Sequence, residues 1–105
     1  MIVKVKPLYA LKRLTINTGV LGVSGYTGQE LVRLLNSHTE FKLSALFSTS
    51  LEGPYSKILP EFAAYELPDV VSFDVNQCHD LDVIFLAVPH TKAMPIVAQL
   101  MVDCP

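Results

Sequence analysis

Val20-Leu21-Gly22-Val23-Ser24-Gly25-Tyr26-Thr27-Gly28-Gln29-Glu30-Leu31 is the stretch whose reading decides the fold. The apolar pair Val20-Leu21 runs into three glycines at Gly22, Gly25 and Gly28. A helical pattern follows at once, with Leu31, Val32, Leu34 and Leu35 apolar and Gln29, Glu30 and Arg33 polar. Strand, glycine turn, helix is the geometry that sets backbone N–H groups and a helix N-terminus against a phosphate. The stretch therefore reads as the pyrophosphate cradle of a dinucleotide site. A tight strand-to-helix turn suits Gly22, close approach of an anion to bare backbone suits Gly25, and tight packing of the new helix on its strand suits Gly28. The hydroxyls of Ser24, Tyr26 and Thr27 add donors for phosphate oxygens. The spacing is Gly-x-x-Gly-x-x-Gly, with Ser24 where the commoner fingerprint has its second glycine. A purely structural turn is the plainer alternative.

Around this stretch the chain reads as alternating strands and helices. Ile16 to Leu21 is the first strand, and the helix runs from about Tyr26 to Asn36, with Glu30 near its positive end. His38 reads as a solvated turn residue. Phe41 to Phe47 is the second strand and ends at Ser48-Thr49-Ser50. An NAD site places an acid about 20 residues after the glycines to hold the ribose 2′-hydroxyl. Here hydroxyls stand instead, and these can accept a 2′-phosphate that a carboxylate would repel. The reading leans to NADP, with Lys57 as the nearest following cation; ordinary loop chemistry is the alternative for the Ser/Thr cluster.

From Leu51 to Pro68 the pattern is irregular. Tyr55, Ile58, Leu59 and Phe62 are expected to form a short apolar turn over the sheet, punctuated by Gly53-Pro54 and Pro60. Val70 to Phe73 predicts a short edge strand. Leu81 to Val88 is the clearest strand, an unbroken branched apolar run of the kind buried on both faces of a parallel sheet. Ligands of such sheets lie beyond the carboxyl ends of the strands, so Pro89 and His90 fall beside the glycine turn. A closing helix, Thr91 to Met101, is expected to bury Met94, Val97, Ala98 and Met101, with Pro95 tolerated in its first turns. The predicted fold class is α/β: a Rossmann-like doubly wound parallel sheet, incomplete, with three to four strands. The last strand would then lack a neighbour on one side, a risk for self-pairing.

The chain has 105 residues, half of them hydrophobic, and a formal net charge of -2. That size suits one small domain with a real core, and that charge argues against an electrostatic grip on nucleic acid. No apolar run approaches the roughly 20 residues that span a bilayer. Two cysteines, Cys78 and Cys104, make no disulfide framework, so a cytoplasmic location is expected. Residues 1–14 carry Lys4, Lys6, Lys12 and Arg13 and no acid, and read as a loosely attached, disordered extension. Residues 15–105 read as the N-terminal part of a cofactor-binding domain, with the substrate and catalytic domain absent. The chain is expected to be a fragment, or one part of a split or truncated product.

Gly22 to Leu35 also resembles the opening of N-acetyl-gamma-glutamyl-phosphate reductase, a family of arginine biosynthesis, through its Ser24-Gly25-Tyr26-Thr27-Gly28 core. Asp82-Val83-Ile84-Phe85-Leu86-Ala87-Val88-Pro89-His90 resembles a second stretch of that family. The similarity covers about Ile16 to Leu100. It implies NADPH-dependent reduction of an acyl phosphate to a semialdehyde with release of phosphate, and a homo-oligomeric full-length enzyme. By position and by resemblance His90 should line the cofactor cleft; structural capping is its other reading. In that family a cysteine in a Gly-Cys-Tyr-Pro string displaces phosphate to give a thioester, and a histidine serves as acid–base. No such string occurs here. Neither cysteine reads as catalytic, and Cys78 and His79, being adjacent, would not face each other. The expected site is thus Gly22, Ser24, Gly25, Tyr26, Thr27, Gly28, Ser48, Thr49, Ser50, Pro89 and His90, all cofactor-binding, with no catalytic residue and no metal ligand. Two rival readings stay open: part of an aspartate-semialdehyde-dehydrogenase-type enzyme, or a nucleotide-binding or interaction module without chemistry of its own.

Overall fold

The computed structural model describes residues 2–4, 15–49 and 52–103. Ser50 and Cys104 therefore lie outside the described residues. The strands are β1 (Ile2–Lys4), β2 (Ile16–Leu21), β3 (Phe41–Ser48), β4 (Val70–Ser72) and β5 (Val83–Leu86); the helices are α1 (Tyr26–Ser37), α2 (Tyr55–Ile58) and α3 (His90–Asp103). All five strands join one sheet in the order β1-β5-β2-β3-β4. β2 pairs in parallel with β3 and β5, and β3 pairs in parallel with β4. These four strands form the incomplete Rossmann-like α/β sheet expected from the sequence. β4 takes the edge.

β1 differs from expectation. Ile2–Lys4, read as part of a loose extension, pairs antiparallel with β5, Ile2 opposite Phe85 and Lys4 opposite Val83. The physical reason is the open row of N–H and C=O groups that β5 would otherwise present. The edge expected to be bare is thus covered at these three positions.

Alternation along the strands divides the core between two faces. Leu21, Phe47, Ile84 and Leu86 point to one face, where Ala93 and Leu100 of α3 and the 3-10 turn Val75–Cys78 cover them. Val20, Leu46 and Val70 point to the other, under Val32 and Leu35 of α1 together with Tyr55 and Phe62. β5 was expected to be buried on both faces. Ile84 and Leu86 are buried, but Val83 and Phe85 are only half-buried, because α1 sits over β2 and β3 rather than over β5.

The ends of β5 also have local causes. The strand starts at Val83, not Leu81. The fully buried Asp82 accepts the Asn17 N–H on its carboxylate at 2.9 Å, so a side chain replaces a strand carbonyl there. It stops at Leu86 because its neighbour turns away after Leu21; the Ala87 N–H still reaches the Leu21 carbonyl at 2.8 Å. The face buried by α3 is set one residue away from the expected one. Ala93, Ile96, Val97 and Leu100 pack inward, while Met94, Ala98 and Met101 are exposed. The helix is apolar nearly all round, so its pattern left the rotation open, and one residue is about 100°.

Candidate dinucleotide site

The glycine turn leaves β2 at the point where the chain order reverses: β3 lies on one side of β2 and β5 on the other. Gly22 sits at φ +94°, a region glycine enters without steric cost. A Cβ there would fall 2.4 Å from the Ala87 carbonyl oxygen and 3.1 Å from a Val88 methyl group. The turn therefore lies directly against the end of β5, and Pro89 and the start of α3 at His90 stand beside it. The N–H groups of Gly22 and Val23 both point to the Phe47 carbonyl, at 2.9 and 3.4 Å, which ties the turn to the end of β3 as well.

Gly28 is buried, and a Cβ on it would lie 2.0 Å from the Gly22 carbonyl oxygen. Its missing side chain lets the first turn of α1 rest on the loop. Gly25 is different: it is exposed, has ordinary extended backbone (φ -83°, ψ 167°), and a Cβ would meet only the Gly22 oxygen at 3.7 Å. Nothing within the fold requires glycine there. Gly25 is the N-cap of α1 and supplies no side-chain cap, and the first turn of α1 holds no acid. The opening N–H groups of a helix have no partner within it, so this end is electrostatically positive and open. Glu30, expected to serve that end, instead pairs with Arg33 one turn on.

Tyr26 and Thr27 are exposed beside Gly25, and Ser24 is half-buried, its carbonyl accepting from Gln29 Nε2 at 3.2 Å. Of the second cluster, Thr49 is exposed at the end of β3, whereas Ser48 is only 1% exposed and so turned into the protein. Pro89 is exposed and His90 begins α3. His38 is exposed at the end of α1, with its Nδ1 accepting the Glu40 N–H at 3.1 Å, as a turn residue would. Cys78 is buried with its thiol 3.8 Å from the Asp74 carbonyl, while His79 is exposed. Among the described residues no group of three His, Cys, Asp or Glu side chains is placed to hold a metal ion. Among the described residues no helix is long and apolar enough to cross a membrane.

Two contributors are not among the site residues expected from the sequence. Glu52 accepts a hydrogen bond from Ser72, the register partner of Ser48, so a carboxylate is held on the strand next to β3. Tyr55 is 2% exposed, and its hydroxyl donates to the Val23 carbonyl inside the glycine turn. Burial pushes the Tyr55 phenol up to about 12, against the pull of the nearby Arg33 charge. The folded chain thus holds this proton more tightly than the unfolded chain, whose tyrosines titrate near 10. The stability Tyr55 contributes is complete below about pH 10 and is lost as pH climbs through about 12. Thermal midpoints of the unaltered chain and Tyr55→Phe should differ by a constant gap up to pH 9.5 or so and converge above about pH 10.

A parallel α/β sheet with a glycine turn and an open helix N-terminus at its switch point defines the class of dinucleotide-binding domains. Residues 17–103 match the sequence family described as semialdehyde dehydrogenase, NAD binding domain, and the chain belongs to that family. It is similar to N-acetyl-gamma-glutamyl-phosphate reductase of Campylobacter hominis, at 42% identity over 84 residues, 79% of this chain and 25% of the relative. It is also similar to the proteins of the same name from Paracoccus denitrificans (35% identity, 83% of this chain and 26% of the relative) and Methanoregula boonei (37%, 82% and 26%). The chain spans about a quarter of the length of the curated relatives it matches.

Proposed function

We propose that the chain is the N-terminal cofactor-binding part of an NADPH-dependent N-acetyl-gamma-glutamyl-phosphate reductase, acting in arginine biosynthesis. The observation that carries this reading is the uncapped start of α1, set against the end of β5 by glycines with no room for a side chain at Gly22 and Gly28. A pyrophosphate fits there on chemical grounds: it needs N–H donors, positive potential and bare backbone. Gly25, Tyr26, Thr27 and Ser24 would hold the pyrophosphate, Thr49 the adenosine ribose end, and Pro89 with His90 the side of the cleft next to β5. Bound NADPH supplies hydride in the whole enzyme; this chain binds and orients it. Cys78 is buried and fit for packing rather than attack, so the chain alone is expected to turn over no acyl phosphate.

One observation favours a second reading of cofactor choice. Glu52 is held on Ser72, and Ser72 of β4 is the register partner of Ser48 at the end of β3. A carboxylate there would favour NADH by repelling a 2′-phosphate. Titrating the chain with NADPH and NADH, followed by the fluorescence of the reduced nicotinamide, tests both readings. Tighter binding of NADPH supports the first, tighter binding of NADH the second, and binding of neither by the folded chain removes the dinucleotide reading. Thr49→Arg should raise the ratio of NADPH to NADH affinity by about tenfold, since an arginine fork pairs with a phosphate.

A further inference from the structure

We infer that Tyr55 is a positioning residue for the glycine turn: its hydroxyl holds the Val23–Ser24 peptide so that the Ser24 N–H faces the phosphate side. The inference rests on the dinucleotide reading above and adds to it a residue of the irregular segment, 32 positions away from Val23.

The argument starts from the peptide plane. No cis peptide occurs among the described residues, so the Val23 C=O and the Ser24 N–H point in opposite directions. The Val23 oxygen points inward, to a phenol that is 2% exposed. The Ser24 N–H therefore points outward, to the side where Gly25, Tyr26 and Thr27 are exposed. No described backbone carbonyl accepts from it. The following peptide is held from within the turn and its helix: Gly25 N–H reaches the Gly22 oxygen at 3.2 Å, and Gln29 Nε2 reaches the Ser24 oxygen at 3.2 Å. The two peptides before Val23–Ser24 are held by the Phe47 carbonyl, and the Val23–Ser24 peptide is the one held by the irregular segment.

The phenol is itself fastened to α1. Its ring lies 4.7 Å from Phe62, centre to centre, and the Arg33 guanidinium lies 5.1 Å over the Phe62 ring. Arg33 also pairs with Glu61 at 2.8 Å and with Glu30. Segment 55–62 and helix α1 thus hold the hydroxyl from two directions. Without that hydroxyl the peptide can rotate about the bonds flanking it. The Val23 oxygen would then turn toward the ligand side, where it would repel a phosphate and withdraw a donor.

The test uses Tyr55→Phe, which keeps the ring and its contacts and removes one oxygen, with Tyr65→Phe as a control on the same aromatic cluster. Microsecond-to-millisecond exchange at the Ser24 amide is measured by 15N relaxation dispersion, and affinity by NADPH and NADH titration. The unaltered chain and Tyr65→Phe should show a quiet Ser24 amide. Tyr55→Phe should show exchange there and bind its preferred dinucleotide about tenfold more weakly, the loss of one buried hydrogen bond. A Ser24 amide equally quiet in Tyr55→Phe, or an unchanged affinity, overturns the inference. So does exchange at Ser24 in the unaltered chain, a measurement that needs no variant. If the unaltered chain binds neither dinucleotide, the functional reading fails, while the Ser24 amide still decides whether Tyr55 holds the turn.

Discussion

Gly25→Ala is expected to fold and to lose dinucleotide binding. The backbone at Gly25 is ordinary extended chain, and an added methyl group would find its nearest atom 3.7 Å away. Alanine is a poorer N-cap than glycine, at a cost of about 1 kcal/mol or less. The thermal midpoint should therefore fall by no more than about 8 °C. The ligand side is another matter. A methyl group at the mouth of α1 occupies the space a phosphate oxygen needs to reach the N–H groups behind it. Losing two charge-assisted hydrogen bonds costs about 3 kcal/mol or more, a loss of over 100-fold in affinity. Calorimetric titration with NADPH and NADH, beside a melting curve, checks both halves. Undiminished affinity in a folded Gly25→Ala chain would show that no anion touches this backbone.

Gly28→Ala should do the reverse and destroy the fold. Its helical backbone is unremarkable, and alanine gains about 1 kcal/mol of helix propensity over glycine. The added carbon, however, would stand 2.0 Å from the Gly22 oxygen, 2.7 Å from the Gly22 carbonyl carbon and 2.8 Å from the Val23 Cα. All three are backbone atoms, and no rotamer change relieves the overlap. Relief requires α1 to lift off the turn, and that draws Val32 and Leu35 out of the core over β2 and β3. The expected cost is about 4 kcal/mol or more, at the severe end for single substitutions. For a domain of this size that lowers the midpoint by about 15 to 30 °C. Circular dichroism melting is sufficient to see it. A chain that melts as before would mean that the helix does not rest on the turn.

The spacing suggests different tasks for the two glycines, and their surroundings differ in the same sense. Gly28 is explained by what the fold puts against it. Gly25 has no such explanation within the fold; an external anion would supply one, and the Gly25→Ala titration tests it. The same contrast runs through the other residues of the candidate site. Thr49 ends β3 in the open, whereas its neighbour Ser48, equally suited by chemistry, is buried. The end of the strand decides this: Ser48 is still paired with Ser72 of β4, whereas Thr49 lies one residue past β3.

By itself the sequence determined the elements and their class. The glycine spacing, the apolar runs Ile16–Leu21 and Val83–Leu86, and the helical pattern after Gly28 are local signals, readable within a dozen residues, and the parallel sheet follows from their alternation. Only the tertiary structure decided which face α3 buries, that Ile2–Lys4 completes the sheet against β5, and that Tyr55 and Arg33 brace the turn and its helix. The physical reason is range. A turn or a strand is dictated by neighbours along the chain, but a phenol meeting a carbonyl 32 residues away is dictated by packing, and packing is settled by all the elements at once.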